Sequence, residues 1–256
     1  MFRPRVIPVL LLKNKGLIKS TQFKDHRYIG DPINAVKIFN DLKADELVFI
    51  DILASKEGRC ISLDFIKNVG EEANMPFAAG GGITNIKQIQ DIIAAGAEKV
   101  VINTQASIKP NFIREAADTF GSSTIVVCMD VKKKFLGKIQ TWVSAGEKAT
   151  GYNPVDFAKL MEEKGAGEII VQSIERDGMM QGYDIDLIKS ISESVSIPVV
   201  ALGGAGNLED MNTAFTQAYA NGLAAGSLFV YHGARKGILI NYPSKEIITK
   251  TIEKWV

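Results

Sequence analysis

The segment FAAGGG at residues 77–82 returns as VVALGG at 199–204, an offset of 199 − 77 = 122. Each copy is an apolar run of strand length that ends in paired glycines. The same spacing relates LVFIDI, starting at 47, to IIVQSI, starting at 169 (169 − 47 = 122), and VVINT, at 100, to GLAAG, at 222 (222 − 100 = 122). One shared offset across three strand-like runs predicts a chain made of two related halves, divided at roughly 1–121 and 122–256, with a period too long for a solenoid.

Outward from these pairs, eight apolar runs can be read: RVIPVL (5–10), LVFIDI (47–52), FAAGG (77–81), KVVIN (99–103), TIVVCMD (124–130), EIIVQSI (168–174), PVVALG (198–203) and GLAAG (222–226). They are nearly continuous in apolar character rather than alternating, as parallel strands buried on both faces are. Amphipathic stretches lie between them, among them PINAVKIFNDLKA (32–44), NIKQIQDIIAAGA (85–97), NPVDFAKLMEEKGA (153–166) and NLEDMNTAFTQAYA (207–220). Several open on a capping residue or an early proline and close near glycine. Eight βα units in 256 residues predict an α/β protein, a single (β/α)8 TIM barrel over 1–256 built from two similar half-barrels. An open doubly wound sheet fits less well, because no GxGxxG follows the first strand.

Composition narrows the function classes. Thirty basic side chains oppose 29 acidic ones, a net charge of +1, so no global field favours nucleic acid or an anionic membrane. No apolar run approaches the roughly 18 residues of a membrane span. MFRPRVIPVLLL (1–12) lacks a cleavage-site pattern and reads as a buried first strand rather than a signal peptide. Cys60 and Cys128 stand alone, without CxxC or metal-ligand spacing. The expectation is a cytoplasmic, disulfide-free protein that uses no metal or other cofactor.

Glycines mark two candidate anion sites. Gly80, Gly81 and Gly82 end the third strand, beside Asn103 and Thr104 at the end of the fourth. Gly203, Gly204 and Gly206 end the seventh, beside Gly226 and Ser227 after the eighth. Glycine lets backbone N–H groups approach an anion, and a following helix N-terminus favours negative charge. Such glycines also serve tight βα turns. Two matched sites across one barrel mouth favour a ligand with two terminal phosphates.

KVVINTQA, GEIIVQSIERDG, ALGGAGNLEDM and DELVFIDILAS resemble the corresponding motifs of the cyclase subunit of imidazole glycerol phosphate synthase. The resemblance runs from about Arg5 to the eighth strand and weakens over the last 25 or so residues. It implies a bis-phosphorylated ribulosyl-formimino substrate, which ammonia converts into imidazole glycerol phosphate and an aminoimidazole carboxamide ribotide. It also implies a glutaminase subunit that docks under the barrel and sends ammonia through it. A histidine-pathway isomerase with a similar two-phosphate barrel fits the first and fifth strands less well.

The resemblance assigns general acid and base roles to two aspartates, at the ends of strands one and five. The second is Asp130, in VCMDVKKK; the first falls at Leu11, in RVIPVLLLKNKG. Leucine moves no proton, and a positioned acid or base is typically worth about 10² to 10⁴-fold in rate. Lys19, Asp51 and Asp177 match family positions in the substrate site, and Lys19 is expected in a mobile first loop. KNKG (13–16) replaces the family's acidic-glycine pair, and Met179-Met180 replace a Thr and a polar residue. At the opposite end, Arg5, Glu46, Lys99 and Glu168 begin strands one, two, four and six, and match the family's ammonia gate. Without the resemblance they would read as a structural ring of salt bridges.

Weaker signals complete the reading. Lys132, Lys133 and Lys134 read as a solvated turn, and FLGKIQTWVS (135–144) as a hairpin over the mouth, with Trp142 in a packing role. His26 is expected in a flexible loop and His232 near the last helix. The resulting expectation is a relative of the cyclase subunit that takes ammonia from a glutaminase and serves a different reaction. A branch of the family associated with acetamidino groups on bacterial surface sugars, beside a separate sugar amidotransferase, fits the loss at Leu11. The alternative is a working cyclase of histidine biosynthesis.

Overall fold

Eight strands pair in parallel around a closed barrel: β1 (Arg5–Lys13), β2 (Leu47–Asp51), β3 (Phe77–Gly80), β4 (Lys99–Ile102), β5 (Ile125–Lys133), β6 (Glu168–Ser173), β7 (Val199–Leu202) and β8 (Gly222–Ala225). The structure is a computed structural model and describes residues 3–134, 137–233 and 235–252. Each strand pairs with the next, and β8 returns to β1 with Arg5 opposite Gly222 and Ile7 opposite Ala224. The (β/α)8 barrel expected from the alternating runs is the fold observed.

Helices surround the strands: α1 (Pro32–Asp41), α2 (Leu63–Glu72), α3 (Ile86–Ala94), α4 (Asn111–Phe120), α5 (Pro154–Glu163), α6 (Ile185–Ser192), α7 (Leu208–Ala218) and α8 (Lys245–Ile252). Their starts are set by local chemistry. Asp31 accepts a hydrogen bond from the Asn34 amide at 2.9 Å, with Pro32 in the first turn, where its missing N–H costs nothing. Asn85 and Gln88 form a reciprocal capping box at α3. The helices end two or three residues before the amphipathic patterns do, because Leu42, Ala95 and Lys164 close the last turns.

Two apolar cores follow from the alternation of side chains along each strand. One lies between strands and helices and contains Phe39, Phe49, Phe112, Phe157 and Phe229. The other fills the barrel and contains Ile7, Val9, Val48, Ala78, Val101, Val126, Ile170, Val200 and Ala224, with Leu11, Ile50, Cys128 and Leu202 packed on it nearer the mouth.

β1 and β5 are longer than their apolar runs. Each continues past the barrel as one arm of a hairpin. Gly16–Thr21 folds back on β1, with Leu11 opposite Ile18, and then pairs with Lys24–Gly30. Ile139–Val143 folds back on β5, with Asp130 opposite Trp142. Several expectations are corrected here. The first loop is a β-hairpin, and His26 lies on its outer strand with Nδ1 3.1 Å from Lys13 Nζ. Lys132 and Lys133 belong to β5 rather than to a turn; antiparallel pairing with Gln140 and Ile139 outweighs their charge, and the Lys132 ammonium lies 5.2 Å from the centre of the Trp142 ring. The expected 135–144 hairpin is present from Ile139, while Phe135 and Leu136 lie outside the described residues. His232 sits in a two-residue strand paired with Gly237, ahead of α8. No helix among the described residues is long and apolar enough to cross a membrane.

Phe49 is fully buried on β2, edge-on to Phe65 at 5.3 Å and to Phe77 at 6.1 Å. Phe49→Ala should destabilise the chain by about 3–5 kcal/mol, because the packed helix layer cannot collapse into the space. Denaturant unfolding should show a lower midpoint with an unchanged slope.

Candidate active site

At the N-terminal end of the barrel, the inward side chains of β1, β4 and β6, with Glu46 just ahead of β2, form a closed ring. Arg5 donates to Glu46 and to Glu168 through its two terminal nitrogens. Lys99 Nζ lies 3.2 Å from Glu46 and 2.9 Å from Glu168. Both carboxylates are buried. Burial alone would lower the Arg5 pKa, but the charges of Glu168 and Glu46 outweigh it and hold the guanidinium above its ordinary value. Two cations and two anions meet with each acid shared, so neither carboxylate is buried unpaired.

Above the ring the barrel is apolar, and at the C-terminal end it opens into a cavity of about 390 Å³. Lys19, Asp51, Gly81, Gly82, Asn103, Thr104, Asp130, Asp177, Gly226 and Ser227 all line it. Gly203 and Gly204 do not: the Gly204 carbonyl accepts from the Gly182 amide at 2.9 Å, drawing this turn under the loop after β6. A Cβ at Gly204 would collide with the Gly182 carbonyl, and one at Gly82 with the Arg59 carbonyl. Both residues have positive φ, so loop packing alone demands glycine at these two positions. The N–H groups of Gly82, Thr104, Gly204 and Ser227 have no protein acceptor among the described residues.

Asp130 is 7% exposed. Burial pushes its pKa up to about 7; a hydrogen bond from Asn103 offsets part of the rise and the nearby charge of Asp177 adds to it. A carboxyl titrating near neutrality can hold or release a proton at little cost. Leu11, at the matching end of β1, pairs with Ile50 on one side and Ile18 on the other. The mouth end of β1 therefore offers an apolar side chain where β5 offers Asp130.

Lys19 is 4% exposed and folds inward from the first hairpin; its Nζ donates to the Val9 carbonyl at 2.6 Å and lies against Gly226. Burial lowers its pKa to about 8, with the charge of Asp177 opposing the fall. Asp177 itself is raised by burial, against hydrogen bonds and the Lys19 charge. Its carboxylate accepts from Ser20 Oγ at 2.7 Å and from the Phe23 amide at 3.4 Å, while its carbonyl accepts from the Gln22 amide at 2.9 Å. Asp177 thus ties the first hairpin to the loop after β6, beside the cavity.

Asp51 shapes its own loop. Oδ1 accepts from the Leu53 and Ala54 amides at 3.0 and 3.2 Å, and Oδ2 accepts from Arg59 at 2.5 Å. The hydrogen bond to Asp51 raises the Arg59 pKa above the usual range. Arg59 lines the cavity and was not singled out from sequence. Its signal was indirect: a buried aspartate calls for a cation, but a partner eight residues on in an irregular loop follows no periodicity. Gln172 was missed as well. It lines the cavity on β6, opposite Asp130. No group of three or more potential metal-ligating side chains occurs among the described residues.

Residues 5–235 match the family described as histidine biosynthesis protein. A Leptospira borgpetersenii protein provisionally named imidazole glycerol phosphate synthase subunit HisF is 46% identical, over 95% of this chain and 96% of its own length. A Pseudomonas aeruginosa protein provisionally named subunit hisF2 of that synthase is 42% identical, over 95% and 97%. The imidazole glycerol phosphate synthase subunit HisF of Alkaliphilus metalliredigens is 41% identical, over 91% and 92%.

Two expectations follow from the geometry. Crystals grown with phosphate should hold an anion at the Gly82 and Thr104 amides and a second near Gly204 and Ser227; ordered water in both places would reduce the glycines to turn formers. The Asp130 shift has a sign that can be checked. Between its ordinary 3.8 and about 7 the folded chain holds a proton that the unfolded chain has lost. Stability from this group is therefore full below that window and is lost as pH rises through it. The loss is on the order of 4 kcal/mol. Asp130→Asn should melt above the parent at about pH 8, with the gap closing towards about pH 4. Asp177 shifts in the same direction in both proteins, so the difference isolates Asp130. Equal melting temperatures at both pH values would refute the buried-acid account.

Proposed function

The chain belongs to the histidine biosynthesis protein family, and within it we propose a subunit that receives ammonia from a glutaminase partner and passes it through the barrel. On this reading the ammonia serves amidation of a surface-polysaccharide sugar, carried out with a separate sugar amidotransferase, rather than cyclisation of the histidine intermediate. One contrast carries the proposal: the charged ring and apolar column below the mouth are complete, while at the mouth β5 carries Asp130 and Leu11, paired with Ile18 and Ile50, stands at the matching end of β1.

The chemistry is direct. Neutral ammonia enters an apolar column far more cheaply than ammonium does, so the column selects the nucleophilic form. Passage past the ring requires Lys99 to leave its two carboxylates; Arg5 still bridges them, so the ring opens without stranding a buried charge. At the mouth, Asp130 holds or accepts a proton near neutral pH, and the free loop amides suit phosphate groups. We further propose a single domain of two half-barrels. In its support, Gly81 packs on the Asp51 backbone and Gly203 on the Ser173 backbone, and both pairs are 122 residues apart (203 − 81 and 173 − 51).

A second reading, a working cyclase of histidine biosynthesis, is favoured by Asp130, with its pKa near neutrality, and by the name of the Alkaliphilus relative. Turnover separates the two. The chain should co-elute with a co-expressed class I glutaminase and raise its glutamine hydrolysis. Given saturating ammonium and the bis-phosphorylated ribulosyl-formimino intermediate, it should turn over far below about 1 s⁻¹. Leu11→Asp should raise that rate by at least about tenfold, since it restores one positioned proton carrier. Wild-type turnover at or above about 1 s⁻¹ would establish the cyclase reading instead. Separate elution with no stimulation would remove the glutaminase from the account.

A further inference from the structure

Along β6 the inward positions run Glu168, Ile170 and Gln172, two residues apart. Glu168 belongs to the charged ring and Ile170 to the apolar filling of the barrel. Gln172 is the first polar side chain above them on this strand, and it lines the cavity. It is 4% exposed. Its Nε2 donates to Asp177 Oδ1 at 3.4 Å and lies close to Gly203. That leaves Oε1 shielded from solvent, with no hydrogen-bond donor among the described residues. A buried carbonyl oxygen without a donor is costly, and a native fold keeps one where something else supplies the donor.

We infer that Gln172 Oε1 is the acceptor that receives ammonia where the apolar barrel interior opens into the cavity. The inference rests on the conduit reading above and adds a binding site to it. The chemistry of the place selects the ligand. Cys128, Leu202 and Val9 line the same region and provide no strong donor. The Lys19 ammonium donates to the Val9 carbonyl and makes no hydrogen bond to Oε1. A small molecule that arrives through the column and donates N–H satisfies Oε1, and its lone pair stays free to attack. Asp130 lies opposite Gln172 across the β5–β6 ladder and lines the same cavity. The tie from Nε2 to Asp177 couples this site to the residue that holds the first hairpin closed.

The test uses the full ¹⁵N-labelled chain without a glutaminase. The Gln172 side-chain amide signals are assigned by their loss in Gln172→Met; Gln172→Leu, which also lacks the acceptor, serves the same purpose if the first variant does not fold. Ammonium chloride should move these signals saturably, whereas sodium and potassium chloride at equal concentration should not. In the variant, the Asn103 side-chain signals, which report on the same cavity, should respond to ammonium with a midpoint roughly five- to tenfold higher, the effect of one lost hydrogen bond. No movement, equal movement with potassium, or an unchanged midpoint in the variant would overturn the inference and leave Gln172 as a tether for Asp177. The outcome is separable from the conduit reading. A glutaminase complex that forms while Gln172 stays silent to ammonium rejects only the site; an ammonium response without a complex rejects only the conduit.

Discussion

Closure of β8 against β1 constrains everything else in this molecule. Once eight parallel strands form a cylinder, every second side chain on each strand must share one narrow axis with those of its neighbours. The axis tolerates only what can be packed or neutralised there. Apolar residues fill its middle. At the bottom, four charged residues enter only because they arrive as two cations and two anions in mutual contact. At the top, the cylinder widens into loops and polar groups reappear. The division into charged ring, apolar column and mouth is a consequence of closure applied to this order of residues.

The mouth is held by buried carboxylates with different tasks. Asp51 and Asp177 spend their oxygens on loops: one organises the turn after β2 and binds Arg59, the other fastens the first hairpin. Asp130 has the Asn103 contact and a thiol 4.0 Å away at Cys128 among the described residues, and burial with the nearby Asp177 charge raises its pKa. The two structural acids are satisfied by the fold, whereas Asp130 is left available for a proton.

Much of this was legible in the residue order. Local rules suffice for the strand runs, the capped helix starts at Asp31 and Asn85, the glycine pairs at strand ends and the sign alternation of Arg5, Glu46, Lys99 and Glu168, since each depends on period, φ or charge within a few residues. Strand length at β1 and β5 was not legible. KNKG does turn, at Asn14 and Lys15, but Lys13 still belongs to β1, and Lys132 and Lys133 continue β5, because a returning hairpin arm satisfies their backbone groups. Arg59 was invisible for a similar reason: its partner is fixed by the path of an irregular loop.

By itself, the sequence determined the barrel, the identity of the inward residues and the absence of a carboxylate at position 11, because alternation and composition are properties of the chain. Tertiary structure alone decided that Asp177 fastens the first hairpin, that Gly203 and Gly204 pack under the loop after β6 while Gly81 and Gly82 line the cavity, and that Gln172 Oε1 has no donor among the described residues. Each of these depends on which atoms from distant segments arrive within about 3 Å of one another, the reach of a hydrogen bond, and that distance is set by the packing of loops that no local pattern encodes.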